Sequence, residues 1–277
     1  MINPAEDVIR VLDLERIEDN IFRGQNEIRD YGRLFGGQVL AQALAAAYRT
    51  VEADRPCHSL HGYFLRPGDP SRPVLYEVEP IRDGGSFTTR SIKAIQNGEA
   101  IFSMEASFQI EEQGLSHQAE LIDHLPGPAA LEDDYEVGLR KWGKKVMGNR
   151  KRPFEIRTIT KAGPNRGASW LRFRGETITP SGAEHQLLLS YASDMSLIST
   201  AMIPHGQSIK KDRSKMQVAS LDHVLWFHQP FSVGQWLLYL RDTPSAAGAR
   251  GFTRGEFYTE DGTLIASVMQ EGLIRVR

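Results

Sequence analysis

Four consecutive residues, Ser220 to His223, include a hydroxyl, a carboxylate and an imidazole, the groups that cooperate in serine hydrolases. The surrounding composition predicts a strand, in which Ser220 and Asp222 share one face and His223 lies on the other. These three residues are therefore not predicted to form a triad. The G-x-S-x-G, H-E-x-x-H and G-x-x-x-x-G-K-[ST] motifs are also missing from the sequence, so nucleophile-elbow enzymes, zinc peptidases and P-loop proteins gain no support.

A stronger candidate set emerges when the two halves of the chain are compared. The phrase "FGGQVLAQALAAAYRT" (35–50) is aligned with "YASDMSLISTAMI" (191–203), "CHSLHGYFLRP" (57–67) with "SLDHVLWFHQP" (220–230), and Gly98 with Gly262. These alignments place Asp194, Ser220 and Gln270 opposite Gln38, Cys57 and Ala106, respectively. A scaffold repeated twice, with Asp, Ser and Gln in only one copy, is the pattern expected of a single active site in a duplicated fold.

The elements that must position these residues also occur twice. Apolar spacing predicts a helix over 35–50 and a second over 191–203. Aromatic-rich strands closed by proline follow, and then long hairpins that turn at Asn97-Gly98 and at Asp261-Gly262. The order predicts a duplicated α+β unit whose antiparallel sheet wraps one apolar helix. The expected division is an N-terminal unit over 1–120, a connecting segment with a short helix over 121–153, and a C-terminal unit over 154–277.

The bulk composition limits partners and location. The chain has 277 residues and a formal net charge of −2, so it lacks the basic excess of a general nucleic-acid binder. Cys57 is the only cysteine, which suits a reducing compartment. No run approaches a membrane-spanning length, and the N-terminal stretch has no secretory pattern. We expect a cytoplasmic protein without a membrane span or a nucleic-acid partner.

Several long phrases, in the right order, closely resemble the acyl-CoA thioesterase II family, the TesB-type enzymes. They are "FGGQVLAQAL", "HSLHGYFLRPGDPSRPVLYEVEPIRDGGSFTTRSIKAIQNGEAIFSMEASFQ", "LLLSYASDMSLI", "SLDHVLWFHQPF" and "ARGFTRGEFYTEDGTLIASVMQEGLIR". The resemblance runs from about residue 8 to the C-terminus and is weakest between 115 and 165. It implies a double hotdog fold, in which each unit is a curved antiparallel sheet around a central helix.

The resemblance also implies hydrolysis of fatty acyl-CoA thioesters to free fatty acid and CoA. Such enzymes hold a water with an Asp, a Thr or Ser, and a Gln, which fall here on Asp194, Ser220 and Gln270. Bacterial members commonly have Thr at the position of Ser220, a difference that keeps the hydroxyl. The resemblance implies no cofactor and no metal, since CoA is part of the substrate, and it implies homodimers or homotetramers.

The three residue types suit this chemistry. An ionised Asp194 can accept a proton from water, while the Ser220 hydroxyl and the Gln270 amide can fix the water's position. The sequence places Asp194 at the start of the predicted helix over 191–203, so we expect N–H groups there to polarise the thioester carbonyl.

Two rival functions stay open from the sequence. Hotdog enoyl-CoA hydratases use an Asp and His pair in a different local motif, and a silent acyl-CoA binding protein would release no CoA. The strand histidines His58, His61, His223 and His228 are expected to be structural.

Overall fold

The computed structural model describes residues 3–27, 32–121, 125–147, 152–160, 162–177, 179, 182–206 and 215–276. The helices are α1 (Pro4–Leu12), α2 (Gly36–Tyr48), α3 (Asp134–Met147) and α4 (Ala183–Ser193), with 3-10 segments at Pro128–Ala130 and Ile198–His205. Within these ranges, no helix combines the length and the apolar character that crossing a bilayer requires.

The strands form one continuous sheet. They are β1 (Glu15–Glu18), β2 (Ile21–Gly24), β3 (Cys57–Phe64), β4 (Val74–Asp83), β5 (Phe87–Gln96), β6 (Glu99–Gln109), β7 (Phe154–Ile159), β8 (Arg166–Phe173), β9 (Met216–Ser220), β10 (Asp222–Phe227), β11 (Leu237–Ala247), β12 (Arg250–Thr259) and β13 (Leu264–Val276). Their order is β1-β2-β4-β5-β6-β3-β10-β13-β12-β11-β8-β7, and β9 pairs with β13.

This order contains the same unit twice. Read inward from its two edges, the sheet gives β1-β2-β4-β5-β6-β3 and β7-β8-β11-β12-β13-β10. In each unit a hairpin precedes the central helix and four main strands follow it. The units join where β3 and β10 pair antiparallel, with Leu60 opposite Leu225. The predicted duplicated α+β fold is confirmed.

Helices α2 and α4 are the buried centre of the molecule. They pack against each other, and their side chains belong to the same hydrophobic core. Every residue of α2 from Gly37 to Ala47 is buried. Both helices run antiparallel, because the N-terminus of α2 contacts Asp194 at the end of α4, while Tyr48 at the end of α2 contacts Gln186 in the first turn of α4.

The predicted helix over 191–203 is wrong. The second central helix is α4, which ends at Ser193. Ser196 has a positive φ of 67°, a conformation that an α-helix excludes, and the chain continues as a 3-10 segment containing Pro204. Because most of α4 is buried, its sequence lacks the single apolar stripe of a surface helix, and the periodic pattern indicated the wrong segment.

Both predicted hairpins form, with different loops. Asn97 and Gly98 have φ values of 53° and 77°, as a two-residue turn between β5 and β6 requires. Between β12 and β13 the loop instead spans residues 260–263, and Gly262 is the one residue of this loop with a positive φ, at 86°. The Thr259 N–H donates to the Thr263 carbonyl at 3.0 Å and closes this longer loop. The expectation of a tight Asp261-Gly262 turn is therefore wrong.

The segment between the two units contains α3, which packs against β7. Gly143 interrupts this helix with a φ of 72°. The division of the chain into 1–120, 121–153 and 154–277 stays a prediction.

Candidate active site

Asp194 is the C-cap residue of α4, with helical φ and ψ of −76° and −11°. The expectation that it starts a helix is therefore wrong. Its side chain is only 8% exposed. The negative end of the α4 dipole does not favour a carboxylate at this position, so other groups must stabilise its charge.

The N-terminus of α2 supplies one of these groups. The Gly37 N–H donates to Asp194 Oδ2 at 3.0 Å. Two glycines permit this close approach, since a Cβ on Gly36 would lie 2.8 Å from Asp194 Oδ2 and a Cβ on Gly37 would lie 2.3 Å from the Tyr191 carbonyl oxygen. The helix start expected beside Asp194 therefore exists, but it belongs to α2, in the other half of the chain.

Gln270 holds the other carboxylate oxygen. Its Nε2 donates to Asp194 Oδ1 at 2.9 Å. The side chain projects from the middle of β13 and is fully buried. Its Oε1 atom has no hydrogen-bond partner in the part of the chain that the structure describes. An unpaired buried carbonyl is costly, so this atom is a candidate acceptor for a bound water or substrate group.

Ser220 reaches the same carboxylate from the end of β9. Its hydroxyl hydrogen-bonds to Asp194 and lowers the pKa of that carboxyl group. The structure thus brings together Asp194, Ser220 and Gln270, three residues that are far apart in the sequence.

Burial controls the protonation of Asp194. It raises the pKa of this carboxyl group from 3.8 to about 6, against the opposing effects of Gln270, Gly37, Arg33 and Ser220. Arg33 acts by its charge, and its Nη2 donates to the Val218 carbonyl at 3.0 Å. A carboxylate with a pKa near 6 is ionised at neutral pH yet is a stronger base than an exposed aspartate.

His223 also belongs to this cluster, although the sequence predicts only a structural role for it. It is fully buried, and its Nδ1 lies 3.1 Å from Gln270 Nε2 and 4.0 Å from Asp194 Oδ1. The strand is interrupted at Leu221 between β9 and β10, which changes the alternation that was expected to place Ser220 and His223 on opposite faces. The burial of His223, Leu225 and Phe227 along β10 matches an inward-facing set that the alternating pattern could have indicated.

The remaining members of the short Ser-Asp-His stretch and the other strand histidines lie elsewhere. Asp222 accepts the Glu271 N–H at 2.6 Å. His58 and His228 contact the hydroxyls of Ser107 and Ser267. Among the described residues, no group of three or more His, Cys, Asp or Glu side chains could hold a metal ion.

Comparisons with known families cover most of the chain. The family described as acyl-CoA thioesterase matches residues 148–273, and the acyl-CoA thioesterase N-terminal domain matches residues 27–109. Acyl-CoA thioesterase 2 of Haemophilus influenzae is 40% identical and covers 99% of both chains. Acyl-coenzyme A thioesterase 8 of Homo sapiens is 36% identical over 98% of this chain and 89% of its own.

Solved structures agree with these matches. The acyl-CoA thioesterase II TesB2 of Mycobacterium marinum is similar with a TM-score of 0.81 at 39% identity, over 98% of this chain and 97% of its own. A hot dog fold protein of Alicyclobacillus acidocaldarius has a TM-score of 0.79 at 17% identity, over 98% of both chains, which supports the fold alone. The double hotdog prediction is therefore confirmed.

Proposed function

Because this chain belongs to the acyl-CoA thioesterase II family, whose activity is hydrolysis of acyl-CoA thioesters, we propose that Asp194, Ser220 and Gln270 hold and activate the attacking water. One observation carries this proposal: the buried Asp194 carboxylate, with a pKa of about 6, is held by Gln270 and by the start of α2, with the Ser220 hydroxyl beside it. The substrate is an acyl-CoA, and the products are the free acid and CoA.

Asp194 acts as the general base. Water attacks the thioester carbonyl carbon and transfers a proton to the carboxylate, which gives a tetrahedral intermediate. Ser220 and the free Oε1 of Gln270 orient the water. When the carbon–sulfur bond breaks, the sulfur takes the electron pair and the proton held by Asp194, so the carboxylate is regenerated and CoA leaves as a thiol.

The first turn of α2 stabilises the oxyanion. Gly37 already uses its N–H on Asp194, so we assign this task to the neighbouring Gly36 N–H and to the positive end of the helix dipole. This assignment replaces the helix start predicted at Asp194.

The decisive experiment measures thiol release from a panel of acyl-CoAs by the wild type and by Asp194→Asn. We expect kcat to fall about 10²- to 10⁴-fold with little change in KM, because the lost proton transfer belongs to the transition state. The wild-type kcat/KM should fall tenfold per pH unit below about pH 6, where Asp194 becomes protonated.

Asp222→Asn is the matched control, since the Asp222 carboxylate accepts the Glu271 backbone N–H, which an amide oxygen can also accept. Its kcat should equal that of the wild type. An Asp194→Asn enzyme with wild-type kcat would remove Asp194 as the base.

The same panel separates the rival functions. A hydratase would consume enoyl-CoA without releasing thiol, and a silent binder would consume nothing. His223 lies near Asp194, as a hydratase pair would require, but it is fully buried and both ring nitrogens face protein groups. This arrangement favours the thioesterase.

We also propose a cytoplasmic homodimer or homotetramer that needs neither a cofactor nor a metal beyond its CoA substrate. Tyr63 and Leu65, at the end of the central strand β3, are 63% and 49% exposed, which supports self-association. Light scattering of the purified protein tests the assembly, and activity after exhaustive chelation tests the absence of a metal requirement.

A further inference from the structure

A chain of buried polar groups leads from the catalytic amide into the core. Gln270 Nε2 contacts His223 Nδ1 at 3.1 Å, and His223 Nε2 contacts the Ser193 hydroxyl at 2.8 Å. Ser193 in turn contacts the Ser190 carbonyl oxygen at 2.8 Å. All four residues are fully or almost fully buried.

The donors and acceptors of these four residues fix the position of each hydrogen along this series of hydrogen bonds. The Ser193 hydroxyl donates its single hydrogen to the Ser190 carbonyl, so it accepts a hydrogen from His223 Nε2. A neutral His223 then has a lone pair on Nδ1, which accepts from Gln270. The two Nε2 hydrogens of Gln270 are therefore divided between His223 and Asp194. The amide oxygen faces neither of them.

We propose that His223 is a positioning residue that fixes the orientation of the Gln270 amide, so that Nε2 holds Asp194 and Oε1 is presented to the attacking water. This inference rests on the roles proposed above for Asp194 and Gln270. It assigns His223 no contact with the substrate, since the imidazole acts only through the amide.

The first half of the chain shows that the fold does not need this pair. In β3 and β6, Leu60 is paired with Ala106. The registers of β10 and β13 pair Val224 with Met269, which brings His223 opposite Gln270. The structurally matched positions thus hold an apolar pair in one unit and a polar pair in the other, and both pairs are buried. Because buried polar groups are costly, a polar pair beside Asp194 at positions where the other unit has an apolar pair indicates a role in the reaction.

The electrostatic surroundings keep His223 neutral. Burial lowers its pKa from 6.5 to about 3. The groups that face it are Asp194 and Ser193 from α4 and its cap, and Gln270 from β13, while the neighbouring Asp222 directs its carboxylate to the Glu271 N–H. A protonated imidazole would present N–H to the amide and reverse its orientation, so a neutral ring is the form that the arrangement requires.

The test compares His223→Phe with His223→Asn, whose amide oxygen can replace the Nδ1 acceptor. We expect His223→Phe to lower kcat about 10- to 100-fold with KM unchanged, by analogy with the hydrogen-bond partners that orient metal ligands. His223→Asn should recover most of this loss. The matched control is His58→Phe, because His58 also lies on a strand and contacts a serine hydroxyl at 2.8 Å, and its kcat should not change.

The pH profile separates positioning from a structural role. The Gln270 hydrogen bond lowers the pKa of Asp194, so a misoriented amide should raise it and move the acidic limb of kcat/KM to higher pH in His223→Phe. The Arg33 charge also lowers the pKa of Asp194, and the Asp194 charge raises the pKa of Tyr239; the substitution leaves Arg33 and Tyr239 in place. His223→Asn should return the limb towards its wild-type position.

The outcomes distinguish this inference from the proposed function. If Asp194→Asn is inactive while His223→Phe keeps the wild-type kcat and acidic limb, the positioning role is overturned and the base stands. If Asp194→Asn keeps wild-type kcat, the proposed function fails. If His223→Phe does not fold, Ser193→Ala is the second test, because it removes the acceptor that sets the imidazole tautomer. We expect Ser193→Ala to lower kcat and to move the acidic limb of kcat/KM to higher pH. Wild-type values of both would overturn the inference.

Discussion

The two ends of the antiparallel α2–α4 pair are built differently. At one end, the start of α2 meets the buried Asp194 carboxylate, whose partner Gln270 keeps an unpaired oxygen. At the other end, the Gln186 amide accepts from the Tyr48 hydroxyl and donates to the Cys57 carbonyl at 2.8 Å. The Cys57 N–H donates to the Tyr48 hydroxyl at 2.8 Å, which closes the contact.

The difference shows how a repeated scaffold separates chemistry from stability. At the Tyr48 end, polar groups are paired with one another, as buried groups usually are. At the Asp194 end, a carboxylate is buried at the unfavourable end of a helix and an amide oxygen has no partner among the described residues. Both ends thus share one scaffold, and the Asp194 end is the one at which we propose that a water and the substrate complete the hydrogen bonds.

Among the changes that test this comparison, the largest expected effect comes from replacing a polar residue at the Asp194 end by the residue at the matched position of the first unit. Gln270→Ala copies Ala106, and we expect it to lower kcat about 10²- to 10³-fold, because an oriented polar group at the reacting centre is lost. Thiol release under saturating acyl-CoA measures this effect. Adding His223→Leu, which copies Leu60, should cost little further activity, since both residues act through one amide. A further tenfold loss would show that His223 acts independently.

The next effect is the pH dependence that Asp194 gives to the free energy of unfolding. Burial raises the pKa of Asp194 in the folded protein to about 6, so the folded state binds its proton more tightly than the unfolded state. This contribution to stability is complete below the unfolded pKa near 3.8 and is lost as the pH rises through about 6.

The stability of the wild type relative to Asp194→Asn should therefore fall by about 2 kcal/mol between pH 4 and pH 7, because most of the difference between the unfolded pKa and the folded pKa lies within this range. Urea unfolding of both proteins at several pH values measures the difference. A difference that does not vary with pH would contradict the burial of the charge.

The smallest effect is expected at the other end. Tyr48→Phe removes the hydroxyl between Gln186 and Cys57, and we expect a loss of about 1–2 kcal/mol in the free energy of unfolding because polar groups lose their partner. Its kcat should stay within about twofold of the wild type, since no reacting group is nearby. A large fall in kcat would show that the two ends are energetically coupled.

Much of this architecture is predictable from the sequence, because repeated phrases and turn dipeptides are local signals. The helix over 35–50, the strands that end near Pro67 and Pro230, and both hairpins are such cases. The position of Asp194 is not, because most of α4 is buried and its sequence shows no apolar stripe.

The candidate site shows the same limit. Gln270 and Ser220 differ from their counterparts in the first half and can be singled out by comparison, and the resemblance to thioesterases adds their roles. His223 differs from Leu60 in the same way, yet its role depends on the interruption at Leu221 and on which groups face the imidazole. The spacing of residues in the sequence predicts neither the interruption at Leu221 nor the groups that face the imidazole, because both depend on contacts between distant segments.

The pairing of β3 with β10 also has a consequence for how the protein matures. The two strands are separated by more than half of the chain, and closing so long a loop is slow compared with forming a local hairpin. Because the N-terminus of α2 reaches Asp194 only after the units have docked, catalysis should return last during refolding, after most secondary structure has formed. The time at which thiol release returns during refolding therefore reports when the two halves of the chain have docked.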